Sequence, residues 1–294
     1  MGVYPRGLIV IVVNQLKTIV LLGLLTALLL WVGQLIGGYS GLVVAGIFAV
    51  IMNFGSYWFS DKLVLMMYRA KEAKESDQPK LYKIVREVTQ QANIPMPKVY
   101  IIPSDNSNAF ATGRNPKHAA VAATQGILNL LKEDELKGVI AHEVAHIKNR
   151  DILISTVAGT IAGVISYIAT MAQWTAMFGG FGGRDNNRGG NIVSLLLLAI
   201  VTPIIATIIQ LAISRSREFL ADETGAKIIR NSFGLAGALE KLEHDAARHP
   251  MRFGNQATSH LFIVNPFRSG AFIKFFSTHP PMNERIKRLK NMKI

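Results

Sequence analysis

The sequence predicts a mainly α protein, with four membrane-crossing helices and a polar α+β part that carries a small β-sheet. Three observations lead there. Half of the 294 residues are hydrophobic and only 17% are charged, a low share for a soluble chain. The charges are missing from long stretches: none lies between Lys17 and Asp61, from Ile152 to Gly183, or from Gly189 to Ser214. The polar segments between these stretches alternate helical periodicity with short β-rich runs.

The first uncharged stretch breaks once, at Gly37-Gly38-Tyr39-Ser40-Gly41. Two spans of about 20 residues fit, each long enough to cross the hydrocarbon. They run roughly Thr18 to Ile36 and Leu42 to Phe59, with Trp31, Tyr57 and Trp58 near their ends, where aromatic rings favour the interface. Leu8 to Val13 either extends the first span or lies along the surface, and no small-residue cleavage site marks a removable signal. The second and third stretches, joined by the polar, Gly-rich Gly182 to Gly190, form another helical hairpin. Four units are expected: 1–60 and 152–213 as membrane hairpins, 61–151 and 214–294 as polar segments.

The basic residues set the orientation. Fourteen of the 32 lie in 61–151 and fourteen in 215–294, whereas the Gly182 to Gly190 loop holds two, Arg184 and Arg188. Lys and Arg are retained on the cytoplasmic face, so both termini and both polar segments are expected in the cytoplasm. A net charge of +13 also suits nucleic acid, but no helix-turn-helix or aromatic reading surface accompanies it. The absence of cysteine excludes disulfides and thiolate metal sites.

Within the polar segments, Leu81 to Ala92 reads as a helix stopped by Ile94-Pro95-Met96-Pro97, followed by a β run at Val99 to Ile102. Asn108 to Gly113 and His118 to Ala123 read as a hairpin or neighbouring strands. Helices are expected from Thr124 to Leu131, from Glu133 through His146, from Arg215 to Ile229, from Leu235 to Ala247 and from Met282 to Lys293. Glu133, Asp134 and Glu135 crowd one first turn, as the helix dipole favours.

His142-Glu143-Val144-Ala145-His146 is the sharpest chemical signal. On a helix the two imidazoles lie one turn apart on one face and can share an ion, with Glu143 beside them to reach a bound water. Neutral imidazole and carboxylate suit Zn²⁺, and a catalytic zinc needs a third protein ligand plus an open position. Ser214 to Asp222 offers Glu218 and Asp222 at i and i+4. Glu218 is the expected third ligand and Asp222 the residue that holds the outer nitrogen of a ligating histidine. The spacing leaves the reverse assignment open, as it does pairing with Arg215 or Arg217. Both pieces flank the second hairpin, which returns the chain to its starting side and lets them meet at the membrane surface. His118, His244, His249 and His260 have no partner at ligand spacing.

These motifs resemble those of the HtpX-type membrane metallopeptidases of the M48 family, relatives of the CAAX prenyl proteases. The resemblance rests on the N-terminal hairpin, Asn108 to Gly113, His142 to Asp151, and Ser214 to Asp222. It implies a zincin-like (gluzincin) catalytic domain, one zinc held by His142, His146 and Glu218, and Glu143 as catalytic acid/base. It further implies an integral enzyme of the bacterial plasma membrane, with misfolded membrane proteins as substrates and a role in quality control under stress. His279, in Thr278-His279-Pro280-Pro281 ahead of the last helix, is the candidate donor to a developing oxyanion, with an N-capping or packing role as the alternative. Asn108, Ala109, Phe110, Ala111, Thr112 and Gly113 are the expected edge along which a substrate adds as a strand. An intramembrane protease would need its histidines inside an apolar span, yet charged residues surround these. A catalytically idle membrane scaffold with a structural metal is the rival of another class, and such sites usually close with four protein ligands.

Overall fold

The computed structural model describes residues 6–158, 160–161, 215–251, 261–264 and 280–294. The expected spans from Ile152 to Gly183 and from Gly189 to Ser214 lie outside these residues, except for the helical beginning at 152–158 and 160–161. His260 and His279 also lie outside them.

The N-terminal helix α1, Arg6–Met67, is helical throughout, including the predicted Gly37 to Gly41 break. It nevertheless folds back on itself. Thr26 and Asn53 would stand about 40 Å apart in a straight helix, yet Asn53 Nδ2 donates to Thr26 Oγ1 at 2.7 Å. Gly38 turns the chain with φ +56°, and the arms close so tightly beyond it that a Cβ on Gly41 would meet the Gly33 carbonyl oxygen. The hairpin expected from the sequence is therefore built with a helical turn rather than a loop. Its second arm continues to Met67 instead of ending near Phe59, carrying Asp61 and Lys62 on the helix. Gly38–Met67 is the one helix among the described residues that is long and apolar enough to cross a membrane. Leu21 and Leu25 of the first arm pack on Ile154, Val157, Ala158 and Ile161.

After α1 come strand β1 (Lys71–Glu72), helix α2 (Pro79–Ala92), strands β2 (Lys98–Ile102), β3 (Ala109–Asn115) and β4 (His118–Thr124), and helices α3 (Gln125–Leu130) and α4 (Glu133–Lys148). Helices α5 (Arg215–Ile229), α6 (Phe233–Arg248) and α7 (Met282–Lys290) follow. The sheet order is β1-β2-β4-β3: β2 and β4 run parallel, while β1/β2 and β3/β4 run antiparallel. Strand β1 is too short to signal itself in the sequence. Strand β3 lies at a sheet edge, with Ala109 opposite Ala123 and Ala111 opposite Val121.

Local chemistry fixes these boundaries. Asn93 takes a left-handed conformation with φ 55° and ends α2, as asparagine does at helix C-termini. The Thr124 hydroxyl accepts from the Ile127 N–H to start α3, and Glu135 accepts from the Lys132 N–H to start α4, each satisfying a group the helix leaves open. The hydrophobic core gathers α2, the inner face of the sheet and α6 around α4, so that Val139, Ile140 and Val144 are fully buried.

Candidate active site

Helix α4 presents His142, Glu143 and His146, and α5 crosses it carrying Glu218 and Asp222. The crossing is close because Gly225 lacks a side chain: a Cβ there would lie 2.9 Å from the backbone of Ala141 and His142. The side chains of His142, His146 and Glu218 converge at the crossing. The Nε2 atoms of His142 and His146 are 3.1 Å apart, and the Glu218 carboxylate oxygens lie 3.7 Å from the first and 3.6 Å from the second. A tetrahedral ion with ligands at roughly 2.0–2.1 Å sets its donors about 3.3–3.4 Å apart. The three residues therefore fit one such ion with little movement, and together they could hold a metal.

The outer ring nitrogens are both occupied. Asp222 Oδ1 lies 2.9 Å from His142 Nδ1, and Asp151 Oδ2 lies 3.1 Å from His146 Nδ1. Carboxylates only accept, so each Nδ1 donates, and a neutral ring held this way turns its Nε2 lone pair to the site. Burial lowers the His142 pKa. Burial also opposes charge on His146, but Asp151 beside it, aided by Glu218 and Glu143, outweighs this and pushes the ring up to about 10. That value belongs to the metal-free protein, since a bound dication competes with the proton.

Glu143 is 3% exposed, and burial pushes its carboxyl up to about 8. The Ala111 backbone of edge strand β3 faces this carboxyl and works against the effect of burial, so the strand expected to receive a substrate lies beside the expected acid/base. Thr112 on the same strand meets Thr156 through their hydroxyls at 3.1 Å. The free room is small. A cavity of ≈ 30 Å³ is lined by the four motif residues, Ala111, Asp151, Ile152 and Ser155, and closed by Leu261, Phe262 and Ile263. The segment is tied down: Asn108 bonds the Val264 carbonyl and N–H through its side-chain amide, and Phe262 stacks edge-on against Tyr68 and Phe110.

Arginine partners differ from those the sequence suggested. Asp222 pairs not with Arg215 or Arg217 but with Arg285 of α7, through Nη2 at 2.7 Å and Nε at 2.9 Å. Burial disfavours the Asp222 carboxylate, but Arg285 and His142 hold its pKa down to about 2. Arg217 is buried near Asp151 and Glu218, and burial lowers its pKa. Sequence reasoning missed Asp151, Arg285 and the Leu261 to Val264 cover. Asp151 was discoverable at five residues beyond His146. Arg285 was not, because it lies 63 residues from Asp222 and looks like any base in a charged helix. His118 bonds Asn115 and His249 bonds Asp245, both away from this site.

A sequence signature described as Peptidase family M48 matches residues 75–293. The chain belongs to peptidase family M48. Membership makes it a metalloprotease, and the two histidines and the buried glutamate of α4 sit within the matched region. It is 53% identical over 282 residues to a protein named Protease HtpX homolog from Syntrophobacter fumaroxidans, covering 95% of this chain and 99% of the relative. The relative of the same name from Pyrococcus furiosus is 52% identical over 276 residues, covering 94% and 95%. The crystal structure of Ste24p from S. mikatae is similar to 96% of this chain and 67% of its own, at 17% identity and a TM-score of 0.48.

Proposed function

We propose that this M48 peptidase is a membrane-anchored zinc endopeptidase, with His142, His146 and Glu218 holding one Zn²⁺ and Glu143 acting as general base and then general acid. The observation that carries the reading is the convergence of two imidazole Nε2 atoms 3.1 Å apart with the Glu218 carboxylate, whose Oε1 lies 3.6 Å from His146 and Oε2 3.7 Å from His142, a donor set that suits tetrahedral zinc with one corner left for solvent. The bound ion supplies acidity to a water near neutral pH and charge to polarise a scissile carbonyl. Glu143 takes the water proton and returns it to the leaving amine. Asp222 and Asp151 keep the two imidazoles in the ligating tautomer. His279 is assigned the oxyanion.

A substrate segment adds along the edge of β3, where main-chain pairing gives tolerance of sequence. Its entry requires Leu261 to Ile263 to move aside, because ≈ 30 Å³ holds about one water. The uncharged run of α1 between Lys17 and Asp61 supports anchorage in the bilayer, and the basic polar segments support a cytoplasmic site acting on membrane proteins in quality control. Glu143→Ala tests the mechanism: zinc content stays at one per chain while cleavage of a misfolded membrane substrate falls to background. Unchanged function in that variant would favour the idle scaffold.

A further inference from the structure

The cytoplasmic end of α1 carries a second feature that proteolysis does not use. Asp61 and Lys62 are the first charged residues after the long apolar run, so they mark the level where hydrocarbon gives way to headgroups. At that level the β3–β4 turn meets the helix. The Arg114 guanidinium lies over the Trp58 ring at 4.3 Å and the Lys62 ammonium stands 5.5 Å from the Phe59 ring. A cavity of ≈ 410 Å³ opens between them, lined also by Phe54, His118 and Asp61. Neither cation forms an ion pair with a carboxylate among the described residues. From this cavity an exposed apolar stripe runs along the helix through Phe54, Ile51, Val50 and Ile47, at 58, 61, 70 and 61% exposure, with the spacing of one helical face.

Two cations resting on aromatic rings at the edge of an exposed apolar stripe have the chemistry of a phospholipid site. We propose that Lys62 and Arg114 bind the phosphate of a phospholipid headgroup, with an acyl chain lying along Phe54, Ile51, Val50 and Ile47. Guanidinium and ammonium groups recognise phosphate oxygens through charge-assisted hydrogen bonds. The single carboxylate in the cavity, Asp61, leaves the pair with a net positive charge. A soluble anion would have no use for the stripe, which favours a lipid. The site has a consequence for catalysis: Arg114 belongs to β3, three residues from Ala111, so a held headgroup anchors the strand beside Glu143.

This inference rests on the bilayer reading of α1 but not on the proteolytic one. Full-length, zinc-loaded protein in a nonionic detergent is titrated with phosphatidylglycerol, and bound lipids are counted by native mass spectrometry. The wild type is expected to retain one lipid that Lys62→Gln/Arg114→Gln binds at least about ten-fold more weakly, whereas Lys117→Gln, on the same turn but outside the cavity, leaves retention unchanged. Thermal unfolding reports the fold of each variant. Lys62 is exposed, so Lys62→Gln alone carries the test if the double variant misfolds, with a several-fold loss expected. Equal retention by wild type and the Lys62 variants overturns the proposal. So does equally tight binding of a phosphate-free glucosyl diacylglycerol, or of inorganic phosphate alone. Extraction of the wild type without detergent would instead refute the bilayer reading of α1.

Discussion

Arg285→Met removes the buried cation paired with Asp222, and its cost follows from the contacts. Arg285 is 0% exposed and holds both Asp222 oxygens, at 2.7 and 2.9 Å, while its Nη2 lies within 3.5 Å of both His142 ring nitrogens. Methionine fills much of the volume but leaves a buried carboxylate whose remaining partner among the described residues is His142 Nδ1. Breaking a buried pair by deleting one member costs about 3–5 kcal/mol. At about 2–4 °C per kcal/mol for a domain of this size, the melting temperature of zinc-loaded protein should fall by roughly 6–20 °C. Zinc affinity should fall by about 10–100-fold, as when the support of a metal-binding histidine is lost. Thermal unfolding and chelator competition read the two effects. Asp222→Asn and the Arg285→Met/Asp222→Asn double variant complete a thermodynamic cycle with an expected coupling above about 2 kcal/mol. A coupling near zero, or a melting temperature unmoved by Arg285→Met, would refute the reasoning.

Zinc affinity should climb with pH, because His146 in the metal-free protein holds its proton up to about 10 and must release it to ligate. Below that pKa each pH unit removes a tenfold excess of the protonated ring, so chelator competition at pH 6.5 and 8.5 should differ by about 100-fold; a flat profile would show that the ring is already neutral. Gly225→Ala forces a methyl to within 2.9 Å of the α4 backbone, prying α5 and Glu218 away. It should cost about 1–3 kcal/mol and weaken zinc binding, whereas Gly237→Ala, whose nearest neighbour is a Glu135 side-chain atom at 3.5 Å, should leave zinc binding intact. Equal effects of the two would sink the close-crossing argument. His279→Ala should lower kcat by about 10²–10³-fold with KM little changed if its side chain meets the oxyanion, and steady-state kinetics showing only a KM effect would remove it from that role.

Much of the site was legible because its central spacing is local. His142 and His146 share a helix face by periodicity alone, and Glu143 comes with them. The α1 hairpin was legible too, since an uncharged run broken by Gly37-Gly38 permits little else, although its helical turn and its extension to Met67 were not: glycine composition announces a reversal without its geometry. The i, i+4 pair on α5 was visible, but not how its two carboxylates divide their contacts. Glu218 faces both imidazole Nε2 atoms, whereas Asp222 takes His142 Nδ1, and Arg285 reaches both carboxylates, Asp222 at 2.7 Å and Glu218 at 3.6 Å, a division of the imidazole nitrogens set by the helix crossing at Gly225.

The sequence by itself determined the periodic and compositional features: which segments are apolar, which helices form, which histidines can act together and that no thiolate takes part. Tertiary structure alone decided the parallel pairing of β2 with β4, the place of β3 at the sheet edge beside Glu143, the partnership of Arg285 with Asp222 and the cover formed by Leu261 to Val264. The physical reason is range. A helix repeats over a few residues and writes its pattern into the chain, whereas a contact such as Asp222 with Arg285 depends on how several packed elements sum their positions, and no local pattern carries that sum.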